Sequence, residues 1–296
     1  MTTTLPREAA PAPSPAAVRP RRRRRPAKTR VASALRVIAI IAVLLFFLVP
    51  FAWMVMASMK TSLEITDPSK LLNFTPTIDN FVRVFDQQNF LPYIFNSFWV
   101  GFASTALSIL LGVPAAYVLA RFSMKRSAGM VLVARIIPGV SLLVPWYYVF
   151  SNLGLVGSFT VLIISHMFVS LPLIVWIMMS FFEGLPLELE EAAEIDGLTP
   201  IGAFLRITLP LSTPGIATAG ILAFIFSWNN FLFALTLASD QTRTLPLALF
   251  NFVGYAAIDW GGLMAASVVI TIPVIVVALF TQKYIVSGLS AGATKG

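Results

Sequence analysis

Apolar residues come in long blocks along this chain, with short polar stretches between them. Six blocks are long enough to cross a bilayer, since about 20 apolar residues span its hydrocarbon core. They lie at about residues 35–59, 90–120, 128–151, 158–182, 214–238 and 261–285. The pattern predicts an all-α polytopic membrane protein with six transmembrane helices. The second block carries Gly101, Ser104, Ser108 and Gly112, small residues that permit close helix contact. Pro114 can kink that helix, Pro138 and Pro145 interrupt the third block, and Pro172 lies inside the fourth.

The stretch at 183–210 is the most acidic one, and it has a helical pattern of its own. Pro186 suits a first helical position, where its missing N–H costs nothing. Residues 187–196 are mostly good helix formers. Gly197 then stands where a left-handed cap is wanted. Thr199 can cap a second helix with Pro200 at its first position. Ile201, Phe204, Leu205 and Thr208 fall on one face of it, and Pro210 is expected to end it. Ile201, Phe204 and Leu205 lie outside the six blocks and need something to pack on. Glu190 and Glu194, four apart, repel each other, so the first helix is expected to meet a basic partner. A solvated acidic loop is the plain alternative.

The composition agrees with a membrane protein. Charged residues make up 11% and apolar ones 57%, against about 25% charged in soluble domains. The length leaves no room for a soluble catalytic domain. Cysteine is absent, which excludes disulfides and thiol chemistry. The net charge of +8 comes mainly from the start of the chain, where ten of the 21 basic residues precede residue 37. Residues 1–34 cannot bury enough apolar surface to order themselves, and are expected to be a disordered basic tail. The run Arg21 to Arg25 reads as an anchor holding this end in the cytoplasm, although such a run also suits anionic lipid or nucleic acid. No nucleic-acid partner is assigned. The block at 35–59 exceeds the ~7–15 apolar residues of a cleavable signal. Both termini are therefore expected in the cytoplasm. Trp53, Trp146 and Trp260 suit a belt at the membrane interface.

Little in the chain suggests bond chemistry. There is no G-x-x-x-x-G-K-[ST] run, so ATP is not expected to bind here. The lone His166 has no metal-ligand partner at useful spacing and reads as a hydrogen-bonded structural residue. No catalytic grouping and no metal site are assigned. Arg135 is the main charge inside a block, near enough to one end to reach the interface. Buried acids of the kind a proton relay uses are missing, which disfavours the alternative of a secondary, ion-coupled transporter. The polar residues inside the blocks are neutral. Trp228, Asn229 and Asn230 form the densest group, suited either to sugar hydroxyls and sugar faces or to hydrogen bonds between helices.

Glu191-Ala192-Ala193, three residues, Gly197, nine residues, Ile207, one residue, Leu209-Pro210 matches the E-A-A-x3-G-x9-I-x-L-P pattern of ATP-binding-cassette (ABC) importer permeases. Ala120-Arg121-Phe122, the run from Phe226 to Leu235 and the ending from Gly288 to Gly296 resemble the carbohydrate branch, the maltose-permease-like subunit in particular. The resemblance implies a type I ABC importer permease fold, with a first transmembrane helix at 35–59, an external loop at 60–89 and a core at 90–285. It makes 183–210 a coupling loop that meets an ATPase through Glu191, Ala192, Ala193, Asp196, Gly197, Ile207, Leu209 and Pro210. A cytoplasmic tail at 286–296 would add a second contact through Leu289 and Lys295. Trp228, Asn229 and Asn230 become candidates for the substrate pathway. The implied partners are a second permease subunit, an ABC ATPase dimer that binds ATP and Mg, an extracytoplasmic sugar-binding protein and the lipid bilayer of a bacterial inner membrane. This chain itself is expected to hold no cofactor. A permease for another solute class, such as peptides or phosphate, stays open.

Overall fold

A computed structural model describes the backbone of residues 27–254 and 257–293, and the side chains of 35–254 and 257–280. The expectations for Arg21 to Arg25 and Lys295, and for the side chain of Leu289, lie outside the described residues. The chain divides into two units, residues 1–51 and 52–296. Most of helix α1, Ala27–Ser58, belongs to the first. Its block is apolar on every face, as a helix surrounded by lipid requires.

In chain order the second unit holds α2 (Phe90–Arg121), α3 (Lys125–Val133), α4 (Gly139–Asn152) and α5 (Phe159–Glu183). Helix α6 (Glu188–Ile195) and α7 (Pro200–Leu211) form the acidic stretch. Then come α8 (Thr213–Trp228), α9 (Leu232–Leu237) and α10 (Trp260–Ala293). Among the described residues, Leu35–Ser58, Phe90–Arg121, Phe159–Glu183 and Trp260–Phe280 are each long and apolar enough to cross a membrane. Helices α7 and α8 qualify together, with a bend of 71° between them.

Two of the six predicted spans are helical in pieces. The third is divided into α3 and α4 by a break that ends at Pro138. Proline donates no hydrogen bond and steers the residue before it away from helix. The fifth stops at Trp228. Its 16 residues make about 24 Å of helix, short of the ~30 Å core, and α9 adds the missing turns. By contrast Pro114, Pro145, Pro172 and Pro273 sit inside unbroken helices, which membrane helices tolerate.

The core lies where α2, α5 and α8 meet. Val113, Ala116, Ile174, Met178, Phe182, Ala219 and Ala223 are buried there together. Close approach is what holds helices together in lipid, because apolar burial gains nothing against lipid tails. Gly112 shows the closeness: a Cβ at this position would stand 3.1 Å from Ile174. Gly101, Ser104 and Ser108 are buried on the same helix, Gly101 and Ser104 towards α8. His166 is buried, and its Nδ1 lies 2.6 Å from Ser227 Oγ, which in turn lies 3.2 Å from Ser104 Oγ. One ring nitrogen of the histidine is thus hydrogen-bonded, as the sequence predicts, while Nε2 is buried with no hydrogen-bond partner among the described residues.

Hydrogen bonds sort the connections of the second unit into two ends. At one end Gly157 accepts from Ser239 Oγ at 2.9 Å and Thr242 Oγ1 at 3.0 Å. Asn96 Nδ2 donates to the carbonyls of Gln241 and Arg243 at 2.9 and 2.8 Å. Arg83 pairs with Asp259 at 3.3 Å. Buried Lys60 donates to the carbonyls of Lys70 and Leu71 at 3.0 and 2.7 Å, with the Trp53 and Phe74 rings beside it. At the other end, α6 and α7 gather around Arg121. The interface tryptophans have more to do than the belt reading allows. The Trp53 ring faces Lys60, and Trp146 stacks on Phe233 at 5.1 Å.

Candidate functional site at residues 183–210

Helix α6 begins with Glu188, Glu190 and Glu191 in its first turn, where carboxylates face the positive end of the helix dipole. It ends as the sequence predicts. Gly197 has φ of +94°, its N–H donates to Glu194 O at 3.0 Å, and Leu198 N–H donates to Ala193 O at 3.0 Å. This is the paired bond pattern of a Schellman cap, which needs a left-handed residue at the glycine position. Thr199 Oγ1 then accepts from Gly202 N–H at 3.1 Å, and Pro200 opens α7. The corner between α6 and α7 is therefore set by three consecutive local choices.

Pro210 does not end α7. Residues Phe204–Thr208 form a π turn, and helix continues over Leu209–Leu211. In the wide turn the N–H of Leu209 reaches back to Phe204 O. This shift in register lets a residue without an N–H follow in the helix.

The basic partner expected for α6 lies in the same chain. Glu190 is buried and Arg121 half-buried, with side chains 7% and 13% exposed. Glu190 Oε1 accepts from Arg121 Nε at 3.0 Å, from Arg121 Nη2 at 2.6 Å and from Thr208 Oγ1 at 2.8 Å. Its Oε2 accepts from the Tyr117 hydroxyl at 2.7 Å. Arg121 Nη1 faces the other way and donates to Phe182 O at 3.1 Å and Leu185 O at 3.2 Å, at the end of α5. Burial opposes charge on Glu190. The hydrogen bonds from Tyr117, Arg121 and Thr208, with the guanidinium charge, outweigh it and hold the carboxyl below its ordinary range. The Phe204 ring packs on Tyr117 at 4.5 Å, which answers the need of one of the three apolar residues of α7.

The other face of the loop is open. Glu191, Ala192, Asp196, Gly197 and Pro210 are exposed, Ile207 and Leu209 are half-buried, and Ala193 is buried beside Glu190. Ile195 is 86% exposed and Ile201 72%. Leu187, Leu189 and Leu205 are exposed too. Carboxylates and large apolar side chains are exposed together on these two helices. Glu190 and Arg121 are the residues that sequence reasoning missed here. In the sequence Arg121 stands out through the resemblance of Ala120-Arg121-Phe122 to the carbohydrate branch, and Glu190 as a source of repulsion.

The candidate pathway residues are split by the break after α8. Trp228 is buried and donates from Nε1 to Ile270 O at 3.2 Å, the hydrogen bond between helices that the sequence allows. Asn230 Oδ1 accepts from Phe233 N–H at 3.2 Å, at the start of α9. Asn229 is exposed and donates to Ile225 O at 2.9 Å. Arg135 lies exposed in the break between α3 and α4, its guanidinium 5.7 Å from the centre of the Trp176 ring. Among the described residues no group of three or more His, Asp or Glu side chains is placed to hold a metal ion.

Residues 108–291 match the family described as binding-protein-dependent transport system inner membrane component. The sulfoquinovosyl glycerol transport permease of Agrobacterium fabrum is 41% identical over 267 residues, covering 88% of this chain and 94% of that protein. The trehalose transport permease of Mycobacterium tuberculosis is 37% identical over 257 residues, covering 85% and 93%. A crystal structure of a bacterial alginate ABC importer superposes with a TM-score of 0.74 at 19% identity over 88% of this chain, which shows the fold. The family supplies multi-pass inner-membrane subunits whose ATP hydrolysis is done by other chains. An all-helical chain with this loop and these relatives belongs to the binding-protein-dependent inner-membrane components, as a permease subunit of an ABC importer.

Proposed function

We propose that this subunit carries a carbohydrate or sugar-derived solute, and that the 183–210 loop seats it on an ABC ATPase dimer. The single observation behind the docking role is the two-sided loop. One face is tied to the helices through Glu190, and the other presents Glu191, Ala192, Ile195, Asp196 and Ile201 outward. The solute class rests on the relatives, whose permeases are for sulfoquinovosyl glycerol and trehalose, and on the neutral polar residues within the spans. In this reading a second permease completes the pathway, and an extracytoplasmic binding protein delivers the solute. ATP and Mg stay on the ATPase chains. Asn229, exposed at the break after α8, faces the pathway, while Trp228 and Asn230 shape the break. Leu289 and Lys295 of the segment 286–296 add a second contact with the ATPase.

The test is uptake of a panel of labelled sugars by cells carrying the complete importer, paired with ATPase recovery in a pull-down. Glu191→Lys reverses a charge on the outward face. The Cβ of Gly197→Val would meet no atom within 4 Å, so its main effect is backbone strain of about 1–3 kcal/mol at a left-handed φ, which turns α7 away. Both variants should insert normally, lose the ATPase and lose uptake. Normal ATPase recovery and uptake by both would remove the docking role from this loop. Uptake of a peptide or phosphate and of no sugar would remove the solute class.

A further inference from the structure

The network around Glu190 joins more of the molecule than docking needs. Its donors come from the end of α2 (Tyr117 and Arg121) and from α7 (Thr208). Arg121 extends it to Phe182 O in the last turn of α5 and to Leu185 O just beyond it. One carboxylate on α6 thus links four helices. The guanidinium can do this because its donors form a planar fork that serves two directions at once, which an ammonium group does not. Glu190 is buried and Arg121 half-buried, so salt and water screen the pair less than they would at the surface. Among the described residues the outward face of the same two helices is left exposed. A push on that face therefore reaches α2 and α5 through this network and the aromatic contacts of Phe204 beside it.

We infer that Glu190 and Arg121 are positioning residues that carry movement of the docked loop into α2 and α5, and so set how much solute is moved per ATP. The inference rests on the docking role proposed above. It differs from a role in holding the loop for docking, because a loop that is docked but loosely joined to α2 and α5 would let ATP be hydrolysed without transport.

The experiment uses the whole importer in proteoliposomes, with ATP hydrolysis and solute uptake measured in the same vesicles. Three variants keep the local shape. Glu190→Gln removes the charge. Arg121→Lys keeps a charge but cannot reach the carboxylate and both carbonyls. Tyr117→Phe deletes one hydrogen bond and keeps the ring that packs on Phe182 and Phe204. Each should retain the ATPase at wild-type stoichiometry and still hydrolyse ATP. Solute moved per ATP should drop about fivefold or more in the first two, and by less in Tyr117→Phe. Unchanged solute per ATP in the assembled variants would overturn the inference. So would loss of the ATPase in step with uptake, since the network would then serve docking alone. Failure of the docking role itself looks different: Glu191→Lys would keep its ATPase and its uptake.

Discussion

Glu190 and Glu191 are neighbours with opposite surroundings, and the difference is one of helix geometry. Successive residues on a helix point about 100° apart, so one carboxylate enters the core and the next faces out. The buried one carries a testable pH dependence. Its carboxyl is held below the ordinary range in the folded protein. A group of this kind stabilises the fold at pH values above its unfolded pKa, and that contribution is lost as pH falls through the folded pKa. Thermal stability of the purified subunit should therefore decline from about pH 5 downward. Glu64 and Asp67 are depressed as well, by hydrogen bonds from Thr61 and Ser69 respectively, and they add to the same slope. The comparison that isolates Glu190 is with Glu190→Gln, whose melting temperature should be lower at pH 7 and change less with acid. Parallel curves for the two proteins would remove Glu190 as a source of the slope.

At the scale of elements, α2 and α5 are bound by closeness. The space at Gly112 is bounded by Ile174 and Val175. Gly112→Val should force the helices apart and cost about 1–3 kcal/mol through overpacking. Adding Ile174→Ala should recover part of the loss by making room, and the readout is the melting temperature of the three proteins in one detergent. A double variant less stable than Gly112→Val alone would show that the contact does not limit packing. The breaks at residues 134–138 and 229–231 have different causes. The first follows from Pro138, while at the second Trp228 is committed to Ile270 and Asn230 to the start of α9.

For the whole molecule the orientation across the membrane is open to a direct test, because a chain without cysteine accepts single ones cleanly. The basic start of the chain predicts cytoplasmic termini, and the hydrogen bonds of the second unit place 60–89 and 238–259 at the end opposite α6 and α7. Ser69→Cys and Gln241→Cys, both at exposed positions, should react with an impermeant thiol reagent in intact cells. Ser123→Cys should react only after permeabilisation. Thr242 is unsuitable as a probe, since it is buried and bonded to Gly157. Labelling of Ser123→Cys in intact cells would reverse the proposed orientation.

Local rules along the chain determined a good deal. Apolar blocks located the four long membrane-crossing helices of the described residues, because a bilayer demands length and hydrophobicity that hardly depend on neighbours. Gly197, Thr199 and Pro200 set the corner between α6 and α7 through backbone preferences that act within a few residues. The E-A-A spacing led to the family, which also set aside the ion-coupled carrier. Other features needed the tertiary structure. Pro210 stays in a helix because a π turn forms ahead of it, on a segment packed through Phe204. Trp146 became a packing residue once Phe233 was brought against it. Arg121 and Glu190 are far apart in sequence, and either could have faced water or lipid headgroups. Only the meeting of α2 with α6 takes both from solvent and makes each the other's counter-charge, because a buried ion needs a partner and the chain can choose one only by folding.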